Sequence, residues 1–410
     1  MKLVDINEFY SDFGGGVKTY VRQKLDASAA LGWETTIIAP GPADRREKVN
    51  GGEIIWVRAP ALPPDPRYHV FWKSAPVHQL LDQIRPDVIE GSSAWRGGWI
   101  ASGWRGNAAK ALVVHQDPVA VYPQTFFSPV LSERRVDQIC FWFWSYMRKL
   151  SHHYDATMVS GEWLAARLEK FGLRRPIPAP FGVDKSQFSP ANRRRDVRKE
   201  MLAACGVTNE DAPLFIAISR HHPEKRLGIV IDAFTKFAAA RSAGLYIIGD
   251  GPTRKWVEKK ARQHPSIFIA GHVSDRNDLS HRIASADYMV HGGAAETFGL
   301  VVAEALNSGL PLVTPHIGGA ADLTHPTYGE TYRAGDAAAL EEALYRIVAR
   351  DRNELTIAAR AGSRRIGTPG DHFETLFSTY QSLASQKGKR QRIAKPKLQE
   401  APSHAVVNLR

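Results

Sequence analysis

Short apolar runs, each followed by a helical stretch, recur along this chain in two sets. The first set comprises Lys2–Ile6, Glu34–Ala39, Glu53–Val57, Asp87–Gly91, Ala111–His115 and Thr157–Ser160. The second comprises Leu214–Ser219, Leu245–Ile248, Ile267–Ala270, Tyr288–His291 and Leu312–Thr314. Strand–helix alternation of this kind predicts parallel sheets wrapped by helices. Between the sets, Pro176, Pro178 and Pro180 lead through Phe181-Gly182-Val183-Asp184 to the cationic run Arg193-Arg194-Arg195, which has the composition of a linker. A chain of 410 residues also exceeds one ordinary core. The expected organisation is an α/β domain over 1–180, a second over 181–369, a helix over 370–385 and a basic, disordered tail over 386–410. Two sheets joined by one linker enclose a cleft, and domain interfaces are preferred ligand sites. The stretch Pro60–Pro66 reads as an irregular loop.

Hydrophobic content of 43% and charged content of 23% are those of a soluble globular protein. The opening MKLVDINEFY holds no apolar run of the ~7–15 residues a leader needs, and no stretch reaches the ~18 of a membrane span. The two cysteines, Cys140 and Cys205, have neither metal nor disulfide spacing, so a reducing, cytoplasmic setting is expected. Half of the net charge of +12 lies in the tail from Gln386, where seven basic residues face one acid. Such a tail reads as disordered, or as drawn to anionic lipid. No recognition motif accompanies it, so no nucleic-acid partner is expected. The aromatic and basic segment 141–149 (FWFWSYMRK) reads as a buried helix, and its composition also suits a membrane interface.

The residues able to carry chemistry cluster at strand ends. In His291–Pro311, HGGAAETFGLVVAEALNSGLP, a helix is expected from near Thr297–Phe298 to Asn307. Glu296 and Glu304 would then lie within ~80° of each other and ~12 Å apart along one helix. Acids in an otherwise buried segment need partners. The helix mouth attracts phosphate, so an extended polar ligand is one explanation and two water-facing glutamates the other. Arg220 and Lys225 share a strand-to-helix loop, where two cations can neutralise a diphosphate. Gly14-Gly15-Gly16 follows the first strand, where backbone can approach a ligand, but it lacks the dinucleotide spacing. His115 ends one strand, and Gly271-His272-Val273 follows another. Phe373, Leu376, Phe377, Tyr380 and Leu383 give the last helix one apolar face.

Together these residues resemble the retaining GT-B glycosyltransferases of family 4, over nearly the whole chain to about Ser385. Glu296 and Glu304 in ETFGLVVAEAL match that family's E-x7-E pattern. Arg220 and Lys225 match its R-x4-K pair, and Pro180–Asp184 with Phe188 and Pro190 fall in the expected order. The resemblance implies two Rossmann-like domains facing across a cleft, with the last helix crossing back to the first. It implies that Arg220 and Lys225, with backbone amides of Phe298, Gly299 and Leu300, hold the diphosphate of a sugar nucleotide. Glu296 would bond the sugar, Glu304 the ribose, and Gly271, His272 and Val273 would flank the base. Gly15 and Gly16 would approach the phosphate, and His115 the reacting sugar. The implied reaction is metal-independent and without a cofactor, with front-face attack and retention. The donor would be GDP-mannose or a UDP-sugar. The acceptor would be a lipid or cell-envelope glycan at the cytoplasmic membrane face. Three positions depart from the pattern: Arg226 stands for the usual glycine, Ala294-Ala295 precede Glu296, and Asp322 stands where a glutamate is common. A sugar-nucleotide epimerase and a non-catalytic sugar-nucleotide-binding protein are the alternatives. An NAD-dependent dehydrogenase fits the two sheets but not the glycine spacing.

Overall fold

The computed structural model describes residues 1–12, 16–63, 65–127 and 130–394, and the two sets of apolar runs form two separate sheets in it. In chain order β1 (Lys2–Ile6), β2 (Glu34–Gly41), β3 (Arg45–Val49) and β4 (Gly52–Arg58) precede a small hairpin of β5 (Ala61–Leu62) and β6 (Asp65–His69). Then come β7 (Val88–Gly91), β8 (Ala109–Val114), β9 (Ala156–Val159) and β10 (Pro176–Pro178). Hairpin aside, they make one sheet in the order β10-β9-β8-β7-β1-β2-β4-β3, parallel except where β3 meets β4. The second sheet has β11 (Leu214–Ile218), β12 (Gly244–Ile248), β13 (Ile267–Gly271), β14 (Tyr288–Val290), β15 (Leu312–Pro315) and β16 (Gly329–Tyr332). Its order is β13-β12-β11-β14-β15-β16, parallel throughout.

Parallel strands are hydrophobic on both sides because helices cover both faces. One face of the first sheet packs Val4, Ile6 and Leu112 against Leu81, Phe143, Trp144 and Met147. The other packs Leu3, Val88, Ala111 and Met158 against the helix Pro369–Ala394, which returns from the far end of the chain. That helix buries Phe373, Leu376, Phe377, Tyr380 and Leu383, each worth about 1.5–3 kcal/mol of transfer free energy. Between β1 and the neighbouring β7, Asp5 and Glu90 stand directly opposite each other. Lys24 resolves that like-charge pair, its ammonium 2.9 Å from Asp5 and 2.5 Å from Glu90, all three fully buried. Tyr380 of the returning helix donates a 2.7 Å hydrogen bond to Glu90.

Three sequence expectations need correction, and one strand carried no signal at all. Within the proline-rich stretch 60–66, Ala61–Leu62 and the start of Asp65–His69 are not irregular: they pair in the β5–β6 hairpin, where every strand is an edge and proline's missing donor costs little. Arg45–Val49 (RREKV) has no apolar signal, yet forms the antiparallel outermost strand, a place where charge discourages further pairing. Pro176–Pro178, read as linker, is the opposite edge strand. The last helix does not end at 385 but runs to Ala394, so the expected tail 386–410 is helical at its start, and 395–410 lie outside the described residues. No helix among the described residues is long and apolar enough to cross a membrane.

The chain crosses between the sheets twice, side by side. Val183 N donates to Gly367 O at 2.9 Å. A Cβ on Gly182 would fall 1.9 Å from the carbonyl carbon of Thr368, so only glycine fits that crossing. Two further bonds close the domains on each other. Thr297 Oγ1 donates to His115 O at 2.8 Å, and Trp163 N, in the first turn of the helix Glu162–Lys170, donates to the Asp322 carboxylate at 2.8 Å. Asp322, the departure noted after Gly318-Gly319, thus caps a helix of the opposite domain, a favourable place for an anion.

Candidate active site

A cleft of about 1430 Å³ opens between the carboxyl ends of the two sheets. Its second-domain wall is the loop following β14, and glycines on both sides let neighbouring loops clasp it. A Cβ on Gly292 would sit 2.5 Å from Lys225 O, and one on Gly319 2.5 Å from Phe298 Cα. Gly319 N also donates to Glu296 O at 2.6 Å. The expected helix start near Thr297–Phe298 is not observed. Gly299 adopts φ +85°, which breaks the helical path, and the helix runs from Leu300 to Asn307. Glu296 therefore lies in the loop ahead of that helix and Glu304 within it. The two acids do not share one helical face, but they line the same cleft.

The charges of this wall are held in pairs. The Lys225 ammonium contacts the Glu296 carboxylate and lies 3.7 Å from Glu224, while His291 Nε2 stands 3.5 Å from Glu296. Burial alone would raise the Glu296 carboxyl, but Lys225 and His291 outweigh it and hold the group well below the usual carboxylate range. Arg220, mostly exposed, meets the buried Glu224 at 3.2 Å. Glu304 is different: burial pushes it up to about 7, against the pull of Arg276.

Arg276, 3.4 Å from Glu304 and stacked over Phe188, lines the cleft and was not singled out in the sequence. A signal was available. Arg276 opens the helix Arg276–Ser285, where a cation works against the helix dipole and needs another reason to be there.

The opposite wall is made of rings. His115 directly follows β8, its imidazole edge-on to Tyr20 at 5.1 Å and stacked on Phe181 at 5.7 Å. Burial, with Lys24 and His372 nearby, pushes His115 down to about 3, so it is a neutral imidazole. His372, on the returning helix, is pushed by burial to about 4. Its Nδ1 lies 3.0 Å from Ala179 O, which can only accept, so Nδ1 carries the proton and Nε2 accepts from the Tyr20 hydroxyl at 3.1 Å. Tyr20, Phe181 and His372 were not singled out either, because only the returning helix brings them to His115.

Of the residues expected at a site, His115, Gly16, Glu296, Phe298, Gly299, Leu300 and Glu304 line the cleft. Gly16 starts the helix Gly16–Ala30, and Gly15 lies outside the described residues. Lys225 reaches the site through Glu296, whereas Arg220 and Gly271, His272 and Val273 do not line the cavity. Gly271 ends β13 in the left-handed region, φ +76°, next to the Arg254 guanidinium. Arg226 occupies φ +47°, a conformation free to glycine and costing other residues about 1–2 kcal/mol.

Comparison with known proteins matches residues 14–187 to the family described as Glycosyltransferase Family 4 and residues 212–350 to Glycosyl transferases group 1. The chain is 27% identical over 315 residues to a GDP-mannose-dependent alpha-(1-6)-phosphatidylinositol dimannoside mannosyltransferase of Mycobacterium tuberculosis, covering 76% of this chain and 79% of that one. It is 24% identical over 328 residues to a GDP-mannose-dependent alpha-mannosyltransferase of Corynebacterium glutamicum, covering 79% and 74%. Among solved structures, a sucrose-phosphate synthase from Thermosynechococcus elongatus superposes with a TM-score of 0.68 at 19% identity, over 96% of this chain and 99% of that one. HepE of Anabaena, in complex with UDP and glucose, superposes at 0.65 and 15% identity, over 93% and 99%.

Proposed function

We propose that this chain, which belongs to the GT-B glycosyltransferases of family 4 type, moves a hexose from a nucleoside diphosphate sugar to a lipid or cell-envelope glycan acceptor, with retention. The observation that carries the reading is the Glu296–Lys225–His291 cluster, an ionised carboxylate held at the rim of a cleft that Glu304 and Arg276 also face. Relatives named for GDP-mannose-dependent transfer, one of them onto a phosphatidylinositol dimannoside, favour GDP-mannose as donor and a lipid-borne glycan as acceptor.

In this reading Glu296 accepts hydrogen bonds from the sugar hydroxyls, and Glu304 from the ribose. Departure of the sugar builds negative charge on the phosphate and positive charge at the anomeric carbon. Lys225, with the start of the helix Leu300–Asn307, stabilises the first, and Arg220, outside the cavity in this structure, would join them as the domains close, so the chemistry asks for no metal. The acceptor hydroxyl attacks from the face the phosphate leaves, and the phosphate oxygen takes its proton. His115, being neutral, serves as a hydrogen-bonding group and not as a cation. Domain closure excludes water and limits hydrolysis. The transfer takes place at the cytoplasmic face of the membrane.

A thermal-shift screen of UDP-, GDP- and ADP-sugars tests the donor, since a ligand that binds only the folded chain raises its melting temperature. GDP-mannose is expected to give the largest shift, and mass analysis with a glycolipid acceptor one added hexose. No shift with any sugar nucleotide would overturn the reading. Isomerisation of the donor sugar without acceptor would instead identify an epimerase.

A further inference from the structure

Among the described residues, exposed large apolar side chains concentrate beside the cleft mouth, in the segment 122–142. Phe126 is 60% exposed, Ile139 60%, Phe141 69% and Trp142 63%, with Tyr122 and Phe127 more than half exposed as well. They sit on elements that pack on one another. The helix Glu133–Ile139 contacts both the turn Ala120–Gln124 and the helix Phe141–Ser151. The rim is continuous with the site: Tyr122 lines the cleft, and the short helix Thr125–Phe127 touches the Pro223–Lys225 turn. The aromatic segment 141–149 divides accordingly. Phe143, Trp144 and Met147 are buried in the core, whereas Phe141 and Trp142 point outward with their neighbours from 122–139.

Exposed cations neighbour this rim on the same helices. Arg148 and Lys149, both exposed, follow Phe141 and Trp142 by seven residues, two turns of the same helix and ~10 Å back along its axis. Arg135 lies one turn before Ile139 on the same helix face. Exposed rings with cations ~10 Å away along the same helix match the two groups a bilayer interface takes up, rings at the acyl boundary and flexible cations that reach to phosphate. The apolar groups sit on a short turn, a short helix and the junction of two helices, with exposed cations on those same helices, and that pairing of rings and positive charge suits an anionic lipid surface.

We propose that this rim inserts into the interface of an anionic bilayer and seats the cleft mouth on the membrane, so that a lipid-borne acceptor enters without leaving it. The proposal rests on the acceptor reading above and gives it a surface. Full-length chain, the variant Phe126→Ser/Phe127→Ser/Trp142→Ser and a deletion of residues 395–410 are each sedimented with phosphatidylcholine–phosphatidylglycerol vesicles and with phosphatidylcholine alone. The triple variant is expected to lose roughly tenfold or more in partitioning, while its thermal response to the donor nucleotide stays unchanged and so reports an intact fold. Arg148→Glu/Lys149→Glu should weaken binding only to the anionic vesicles, most at low salt. Wild-type partitioning by the triple variant, or binding abolished by the tail deletion alone, would overturn the proposal. A wild-type chain that binds vesicles but transfers no sugar would sink the functional reading and leave the rim standing.

Discussion

On the second-domain wall of the cleft, Glu296 is held by Lys225 and His291, and Glu304 by Arg276. On the first-domain wall, His115 lies between the rings of Tyr20 and Phe181, and those rings are fixed by His372 and Phe373. The two walls answer different demands. A ligand that carries phosphate needs fixed charges, and desolvated charges persist only when each already has a partner. A wall that receives a neutral hydroxyl needs shape and a group that stays uncharged, and stacked rings provide both. Charge bears on the aromatic wall too, from within its own domain. Lys24, beneath the rings, stands 5.2 Å from the Tyr20 centroid and is among the groups that keep His115 neutral.

The sharpest way to break this comparison is to unpair the charged wall. Lys225→Ala should lower kcat/KM for transfer by roughly a thousandfold, because in the proposed reading it removes a cation that serves the phosphate, and it leaves the partly buried Glu296 with only His291 beside it. Steady-state kinetics check this, and a loss below tenfold would mean that Lys225 is a structural cation only.

A smaller effect separates the two acids of that wall. Glu304 keeps its proton in the folded chain up to about 7, whereas the unfolded chain releases it near the ordinary value of 4.5. Its contribution to stability is therefore fully present below about 4.5 and is lost as pH rises through about 7. In the proposed reading donor binding runs the other way, since ribose hydroxyls would bond the ionised carboxylate best. Donor affinity should strengthen by up to roughly tenfold from pH 6 to pH 8, and Glu304→Gln should flatten that profile in a calorimetric titration. Glu296, held far below the usual carboxylate range, should add no pH dependence over the same interval.

The smallest expected effect lies on the aromatic wall. His372→Leu removes the acceptor for the Tyr20 hydroxyl and should lower kcat about three- to tenfold, the worth of one neutral hydrogen bond, with donor affinity unchanged. His372→Gln keeps an acceptor and should recover most of the rate. Equal loss in both variants would show that Tyr20 is not placed through that bond.

Much of this architecture was legible in the sequence, and what was missed has a common cause. Runs such as Leu214–Ile218 and Ala111–Val114 announce buried strands because every position is apolar. The edge strand Arg45–Val49 announces nothing, because its side chains answer to solvent. Glu296, Glu304, Arg220 and Lys225 stood out by spacing within one segment. Arg276, Tyr20 and His372 did not, since each acquires its role from a partner brought by another part of the chain. The helix start near Thr297 was misplaced for a local reason: the apolar periodicity extends past Gly299, but the backbone there turns left-handed. Lys24 shows the limit most clearly. One lysine on an amphipathic helix reads as solvated, yet it is fully buried between two acids of neighbouring strands.

The helix Pro369–Ala394 has a consequence for the order in which this chain becomes a protein. Leu3, Val88 and Met158 leave the ribosome before the second domain, but the residues that cover them, Leu376, Phe377 and Tyr380, are made after it. The first domain therefore waits with one face bare until the second has been synthesised, and the two halves mature together. The same dependence governs inheritance. A recombination event that exchanged donor-binding domains at the crossing near Gly182 alone would pair one lineage's sheet with another's cover. One that also kept the segment from Thr368 onward with its original first domain would preserve the contact between Tyr380 and Glu90. Exchange of donor domains thus requires two breakpoints, and the chain places them side by side at Gly182 and Thr368.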